Sequence, residues 1–136
     1  MRRLLAAVPV AFLSMATSVA AIDMCGSGQR VTCVVDGDTF WLDGEKYRAF
    51  GYDPPEPQTN ICGGYREQQL AGEASRRFMQ LLNTTEVTLE PRGEDHYGRI
   101  LVVIRSNGED VADILVREGL ARYYPDGREF WCSFDN

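Results

Sequence analysis

The chain has 136 residues and a formal net charge of −6, because 20 Asp and Glu outnumber 14 Lys and Arg. This acidic balance argues against a strongly positive groove for nucleic acid, so any such binding must depend on a local site or a metal. A single histidine and four cysteines without a C-x-x-C pair argue against a zinc site.

Residues 1–21 have the pattern of a secretory signal peptide. Arg2 and Arg3 form a basic start, residues 4–19 are almost continuously apolar, and small residues precede a cleavage site before Ile22. The apolar run is too short for the alternative, a transmembrane anchor. We therefore expect a secreted or periplasmic protein with one domain over residues 22–136 and no membrane attachment after cleavage. Loss of the two arginines leaves 12 Lys and Arg against 20 Asp and Glu, a net charge of −8.

The cysteines predict two disulfide bonds, because an even number of cysteines in an exported chain usually forms a disulfide framework. Three pairings of four cysteines are possible. Closeness along the chain favours Cys25 with Cys33, and Cys62 with Cys132.

The first third of the domain reads as a three-stranded meander. Residues 30–36 are rich in β-branched and apolar side chains, residues 40–42 follow an Asp-Gly turn, and residues 46–52 follow a second one at Asp43-Gly44. Three prolines then end the pairing, since proline lacks an amide proton. The loop continues through Gly63-Gly64.

The remainder predicts a helix, two strands and a second helix. Residues 67–82 carry apolar side chains at helical spacing, namely Leu70, Ala74, Phe78 and Leu81 or Leu82. Residues 86–90 alternate, and the dense apolar run over residues 98–105 fits a strand buried on both faces. Asp110 can cap a second helix that ends near Gly119. The order βββαββα predicts a mainly β (α+β) fold, a five-stranded OB-fold barrel with two helices.

Two carboxylates are expected at one rim of this barrel. Asp38 begins the second strand and Asp53 ends the third. Two such charges ~4 Å apart repel by about 4 kcal/mol at an effective dielectric of ~20, so a cation is expected between them. Their oxygens, the Pro54 carbonyl and waters suit Ca²⁺, and Glu56 could act as a general base. The plain alternative is that each segment is only a polar turn.

Two arginines accompany the carboxylates. Arg48 lies in the third strand with Asp53, and Arg99 lies in a Tyr-Gly-Arg turn before a later strand. Guanidinium groups bind phosphate oxygens, and loss of one preorganised donor at a reacting group typically costs ~10²–10³ in rate. For Arg48 the alternative is a surface salt bridge. Together the five side chains predict a site that holds and cuts a phosphodiester.

Four motifs carry a family resemblance, in order over residues 28–124: Val-Asp-Gly-Asp-Thr, Arg-x-x-x-x-Asp-x-Pro-Glu, Asp-x-Tyr-Gly-Arg and Leu-Val-Arg-Glu-Gly-Leu-Ala. With them the chain resembles the staphylococcal-type (thermonuclease-like) nucleases. The resemblance implies an OB-fold, Ca²⁺-dependent phosphodiesterase that cuts DNA and RNA with little sequence preference. We expect it to act as a monomer.

The resemblance also implies roles by motif position. Asp38, Asp53 and the Pro54 carbonyl correspond to metal ligands, Arg48 and Arg99 to phosphate contacts, and Glu56 to the base. Aromatic contacts to the nucleotide correspond to Tyr97 and to one of Tyr123 or Tyr124; the alternative is half-buried surface tyrosines.

The chain departs from the family pattern at and after Pro54. Proline stands at Pro54, where the family often has threonine, and the segment after Glu56 lacks the lysines of several relatives. The acidic net charge and the missing lysines favour the alternative, a catalytically weak OB module that binds nucleic acid or a protein, whereas the presence of all five motif side chains favours the nuclease.

Overall fold

The computed structural model describes residues 21–58 and 62–132, and most of the predicted signal peptide lies outside these ranges. The elements in chain order are β1 (Cys33–Val34), β2 (Thr39–Leu42), β3 (Glu45–Ala49), β4 (Tyr52–Asp53), α1 (Gly64–Leu82), β5 (Val87–Glu94), β6 (Ile100–Ser106), β7 (Glu109–Asp110), α2 (Val111–Arg117), β8 (Arg122–Tyr123) and a final 3₁₀ turn (Phe130–Cys132).

The main sheet has the strand order β1-β2-β3-β6-β5, with the short β7 also paired to β6. The first three strands form the predicted antiparallel meander, while β3 and β6 run parallel, with Arg48 opposite Leu101. The fold is therefore the predicted OB-fold-like α+β arrangement. Within the described residues no ladder joins β1 to β5, so the barrel stays open there. An apolar cavity of about 290 Å³ lies between β2, β5 and the end of α1.

The predicted third strand, residues 46–52, is interrupted. Gly51 has φ +94°, a conformation that L side chains rarely adopt, and it separates β3 from β4. β4 then leaves the main sheet and pairs with β8, with Asp53 opposite Arg122. A single straight strand was the wrong prediction, and the break carries Asp53 toward the segment after α2.

Helix α1 packs across the sheet through a buried stripe made of Ala71, Ala74, Phe78 and Leu81. It begins at Gly64, three residues before the predicted start, and Leu70 lies beside the stripe and is only half-buried. Phe78 meets Phe40 of β2 edge to face at 5.9 Å, which joins the helix to the meander. The stripe also includes Glu67, which is 2 % exposed.

The second helix and β6 follow the prediction. The Asp110 side chain accepts a hydrogen bond from the Ala112 amide at 2.9 Å and caps α2. Gly119, with φ +73°, follows the end of α2. Val102 and Leu115 are fully buried where β6 and α2 contribute to the core. The predicted disulfide pairing is confirmed, with Cys25 bonded to Cys33 and Cys62 to Cys132. Neither described α-helix is long and apolar enough to cross a bilayer.

Candidate active site

The turn between β1 and β2 is held against β4 and Pro54. The Tyr52 hydroxyl, buried in the core, donates to the Gly37 carbonyl at 2.7 Å. A Cβ at Gly37 would lie 2.9 Å from the Pro54 Cβ, so a larger residue would push these segments apart. This close approach brings Asp38 and Asp53 to one rim, although fifteen positions separate them along the chain.

Asp38 is buried and short of positive charge. The Asp36 side chain accepts hydrogen bonds from the Asp38 and Thr39 amides, which fixes the turn. The Asp38 carboxylate accepts from the Thr39 hydroxyl at 2.8 Å and from Arg48 Nε at 3.2 Å. Burial raises the pKa of Asp38 to about 6, and the nearby Asp36 charge adds to this, although Arg48 and Thr39 oppose it. A further cation would relieve this crowding.

Asp53 faces two arginines. Its Oδ2 accepts from Arg122 through Nε at 3.1 Å and Nη2 at 3.0 Å. Its Oδ1 lies 3.8 Å from Arg48 Nη2. Arg48 therefore stands between the two carboxylates, while Arg122 fixes the outer oxygen of Asp53.

The donors at this rim fit a hard divalent ion. Asp38 and Asp53 supply anionic oxygens on either side of Arg48, and Pro54, which is buried, follows Asp53 directly. Carboxylate and carbonyl oxygens are the ligands that Ca²⁺ takes. Burial chiefly raises the pKa of Asp38, and the negative charge of Asp36 adds to it, so a cation beside the carboxylate would stabilise its charged form.

Arg99 reaches the same rim from the β5–β6 turn. Its Nε donates to Asp95 Oδ2 at 2.6 Å, and Asp95 Oδ1 accepts from the Arg99 and Tyr97 amides at 2.9 Å each. Its Nη1 lies 3.5 Å from the Thr39 hydroxyl oxygen, the group that also donates to Asp38. The guanidinium is thus held beside the carboxylates by a turn that Asp95 organises.

The tyrosines divide into two sets. The Arg48 and Arg122 guanidinium carbons lie 5.7 and 5.5 Å from the centre of the Tyr124 ring, which joins Arg48 in lining a shallow cleft of about 230 Å³. Tyr97, 79 % exposed, lies 5.4 Å from the Arg99 guanidinium carbon. The Tyr123 hydroxyl instead donates to Asp113 on α2 at 2.7 Å. The geometry therefore puts Tyr124, and not Tyr123, beside the arginines.

Glu56 lies on the exposed loop after the prolines, close to the metal-ligand candidates. Desolvation raises the pKa of its carboxyl group, and the negative charges of Asp53 and Asp38 raise it further. Its backbone amide donates to Glu67 Oε2 on α1 at 2.9 Å. The charges of Asp38, Arg48 and Asp53 thus act on Glu56, while Arg99 reaches the Thr39 hydroxyl beside Asp38.

Known nucleases are similar to this chain in sequence. The family model described as staphylococcal nuclease homologue matches residues 46–130. This chain belongs to that family. Among Bacillus subtilis (strain 168) proteins it is 35% identical to Endonuclease YncB and 34% identical to SPbeta prophage-derived endonuclease YokF, each over 96 residues. Each alignment covers 65% of this chain, but only 44% and 31% of the respective relative.

The match to the staphylococcal nuclease family includes Arg48, Asp53, Glu56 and Arg99, whereas Asp38 precedes it. The match also contains two residues that the sequence analysis missed. Arg122 has no local signal, because its partner Asp53 is 69 residues away. Glu67 had a local sequence signal, because it lies on the same face of α1 as the buried stripe.

Proposed function

We propose that this protein is an exported, Ca²⁺-dependent endonuclease that hydrolyses phosphodiester bonds of DNA and RNA with little sequence preference. The observation that carries the proposal is the position of Arg48, within 3.2 Å of Asp38 and 3.8 Å of Asp53 at a rim that Arg99 and Glu56 share. Two carboxylates can bind a metal ion, and the two arginines beside them can bind a phosphate. Membership of the nuclease family and two relatives named as endonucleases support it.

Asp38, Asp53 and the Pro54 carbonyl would hold the Ca²⁺. When bound there, the ion supplies positive charge that offsets the repulsion between the carboxylates and draws electron density from a phosphate oxygen. Arg122 keeps one Asp53 oxygen occupied, so the other oxygen is the one that faces the centre of the site.

Hydrolysis needs a base and stabilisation of growing negative charge. Glu56 takes a proton from the attacking water as the water oxygen bonds to phosphorus. The ester bond to the leaving oxygen breaks, and that oxygen keeps the electron pair and takes a proton from solvent. The Nε–H of Arg48 donates to Asp38. The remaining N–H donors of Arg48, together with those of Arg99, can bind the non-bridging oxygens of the phosphate.

Substrate range and location are part of the proposal. Tyr97 and Tyr124 can stack on any base, which supports cleavage with little sequence preference. Two disulfide bonds support a secreted or periplasmic location, because such bonds persist in oxidising compartments. We propose a monomer that is free of the membrane after the signal peptide is removed.

Glu56→Gln tests the proposal, since glutamine keeps the shape of the side chain but is not a base. We expect the rate of single-stranded DNA cleavage in Ca²⁺ to fall by roughly 10²–10⁴ while the thermal midpoint stays unchanged. Glu73→Gln, at an exposed position on α1, is the matched control and should retain full activity. Full activity of Glu56→Gln would contradict the assigned role.

A further inference from the structure

Glu67 is a buried acidic residue that the chemistry above does not use. It is 2 % exposed and occupies the helical face otherwise filled by Ala71, Ala74 and Phe78. A carboxylate is rarely buried unless hydrogen bonds replace its water, since removing a charge from water is costly. What its two oxygens bind therefore indicates what the residue does.

Both oxygens accept from backbone amides of the loop that carries Glu56. Oε2 accepts from the Glu56 amide at 2.9 Å, and Oε1 accepts from the Gly63 amide at 3.1 Å. One helix side chain thus ties the two ends of this loop. Carboxylates that accept from amides form stronger bonds than neutral acceptors do.

The position of Glu67 is also restricted by tight packing against Gly63. A Cβ at Gly63 would lie 2.5 Å from the Glu67 Cβ and 2.8 Å from the Trp131 carbonyl oxygen, so only glycine fits between them. Trp131 is 3 % exposed, and the Cys62–Cys132 disulfide joins the neighbours of Gly63 and Trp131. Glu67 therefore has little room to move on the side of Gly63, and its Oε2 is the acceptor for the Glu56 amide.

We propose that Glu67 is a positioning residue that sets Glu56 at its working distance from the bound phosphate. It does so through the backbone of Glu56 and does not itself touch substrate. The inference rests on the role assigned to Glu56 above. Proline-rich loops have few amides to anchor them, and here the helix holds the amide of Glu56, directly after Pro54-Pro55.

The first test is independent of activity. Glu67→Gln preserves the shape of the side chain but has one acceptor oxygen for two amides. We expect hydrogen exchange at Glu56, Gly63 or both to become at least about 10-fold faster than in the wild-type protein, as measured by NMR. Glu73→Gln should leave both amides unchanged. Wild-type exchange at both amides in Glu67→Gln would overturn the inference.

The second test separates positioning from general stability. A displacement of about 1 Å at a reacting group can cost ~10²-fold, so we expect Glu67→Gln to lower kcat by roughly 10- to 100-fold, with KM for DNA and the Kd for Ca²⁺ unchanged. In a Glu56→Gln background the same substitution should cause no further loss, because the base through which Glu67 acts is already absent.

Each remaining outcome has a distinct meaning. An equal fractional loss of kcat in both backgrounds would overturn the inference, because Glu67 would then act through another group. A wild-type protein without Ca²⁺-dependent cleavage would refute the proposed function and the catalytic role of Glu67 with it. The exchange data would still decide whether Glu67 holds the loop.

Discussion

Replacement of Arg122 by alanine should destabilise the protein far more than replacement of a typical arginine. Arg122 is 14 % exposed in its side chain, and it donates twice to Asp53 Oδ2 at 3.0–3.1 Å. It also donates to the Pro125 and Gly127 carbonyls, which joins β8 to the chain that follows. Arg122→Ala removes all of these bonds and leaves Asp53 without its nearest cation.

Burial sets the size of this effect. Removing one partner of a buried ion pair costs about 3–5 kcal/mol, and because Asp53 is 20 % exposed we expect the lower end, about 3 kcal/mol. The control is Arg117→Ala, since Arg117 lies closer to its partner Glu109, at 2.6 Å, but the two side chains are 63 % and 46 % exposed. Exposed pairs contribute at most about 1 kcal/mol, so this variant should lose little.

Urea unfolding measures both variants, with the combined fluorescence of Trp41 and the buried Trp131 as the signal. Calcium is chelated, because binding to the native state would add to the apparent free energy of unfolding. Asp53→Asn added to Arg122→Ala should recover part of the loss by removing the unpaired charge. The reasoning is refuted if Arg122→Ala loses no more free energy of unfolding than Arg117→Ala.

Three further predictions concern metal, substrate and stability. Asp38→Ala and Asp53→Ala should each weaken Ca²⁺ affinity sharply in calorimetry, because each removes an anionic oxygen from a small set; unchanged affinity in both would remove them from the site. If side chains neutralise only ~2 phosphates, log K for single-stranded DNA should fall with log salt at a slope near −1.4, and a much steeper slope would contradict a short-range site. Replacing both cysteines of the Cys62–Cys132 pair, 70 residues apart, should cost about 4.4 kcal/mol, against about 2.5 kcal/mol for the Cys25–Cys33 pair, 8 apart. An equal cost in urea unfolding would contradict the loop-entropy argument.

Local patterns predicted the elements of the fold where the interactions are themselves local. Asp110 caps α2 through an amide two residues away, and the apolar run that centres on Val102 forms the buried β6. The parallel pairing of β3 with β6 and of β4 with β8 could not be predicted in this way. Those contacts join residues some fifty to seventy positions apart, and no periodicity specifies such partners.

The same distinction between local and long-range contacts applies to the residues of the candidate site. Asp38, Arg48 and Asp53 were predicted together because a meander with short turns can bring them to one edge, and the structure puts Arg48 between the two carboxylates. Arg122 was missed because only the folded chain brings it to Asp53. Glu67 could have been found, because an acidic residue on the apolar face of a helix indicates a buried carboxylate that needs partners.

Digestion of single-stranded DNA by the purified, oxidised protein tests the central claim most directly. The proposed function predicts cleavage in Ca²⁺, loss of cleavage when a chelator is added, and recovery when Ca²⁺ is restored. Binding of the DNA without Ca²⁺-dependent cleavage would contradict it and would favour the catalytically weak binding module.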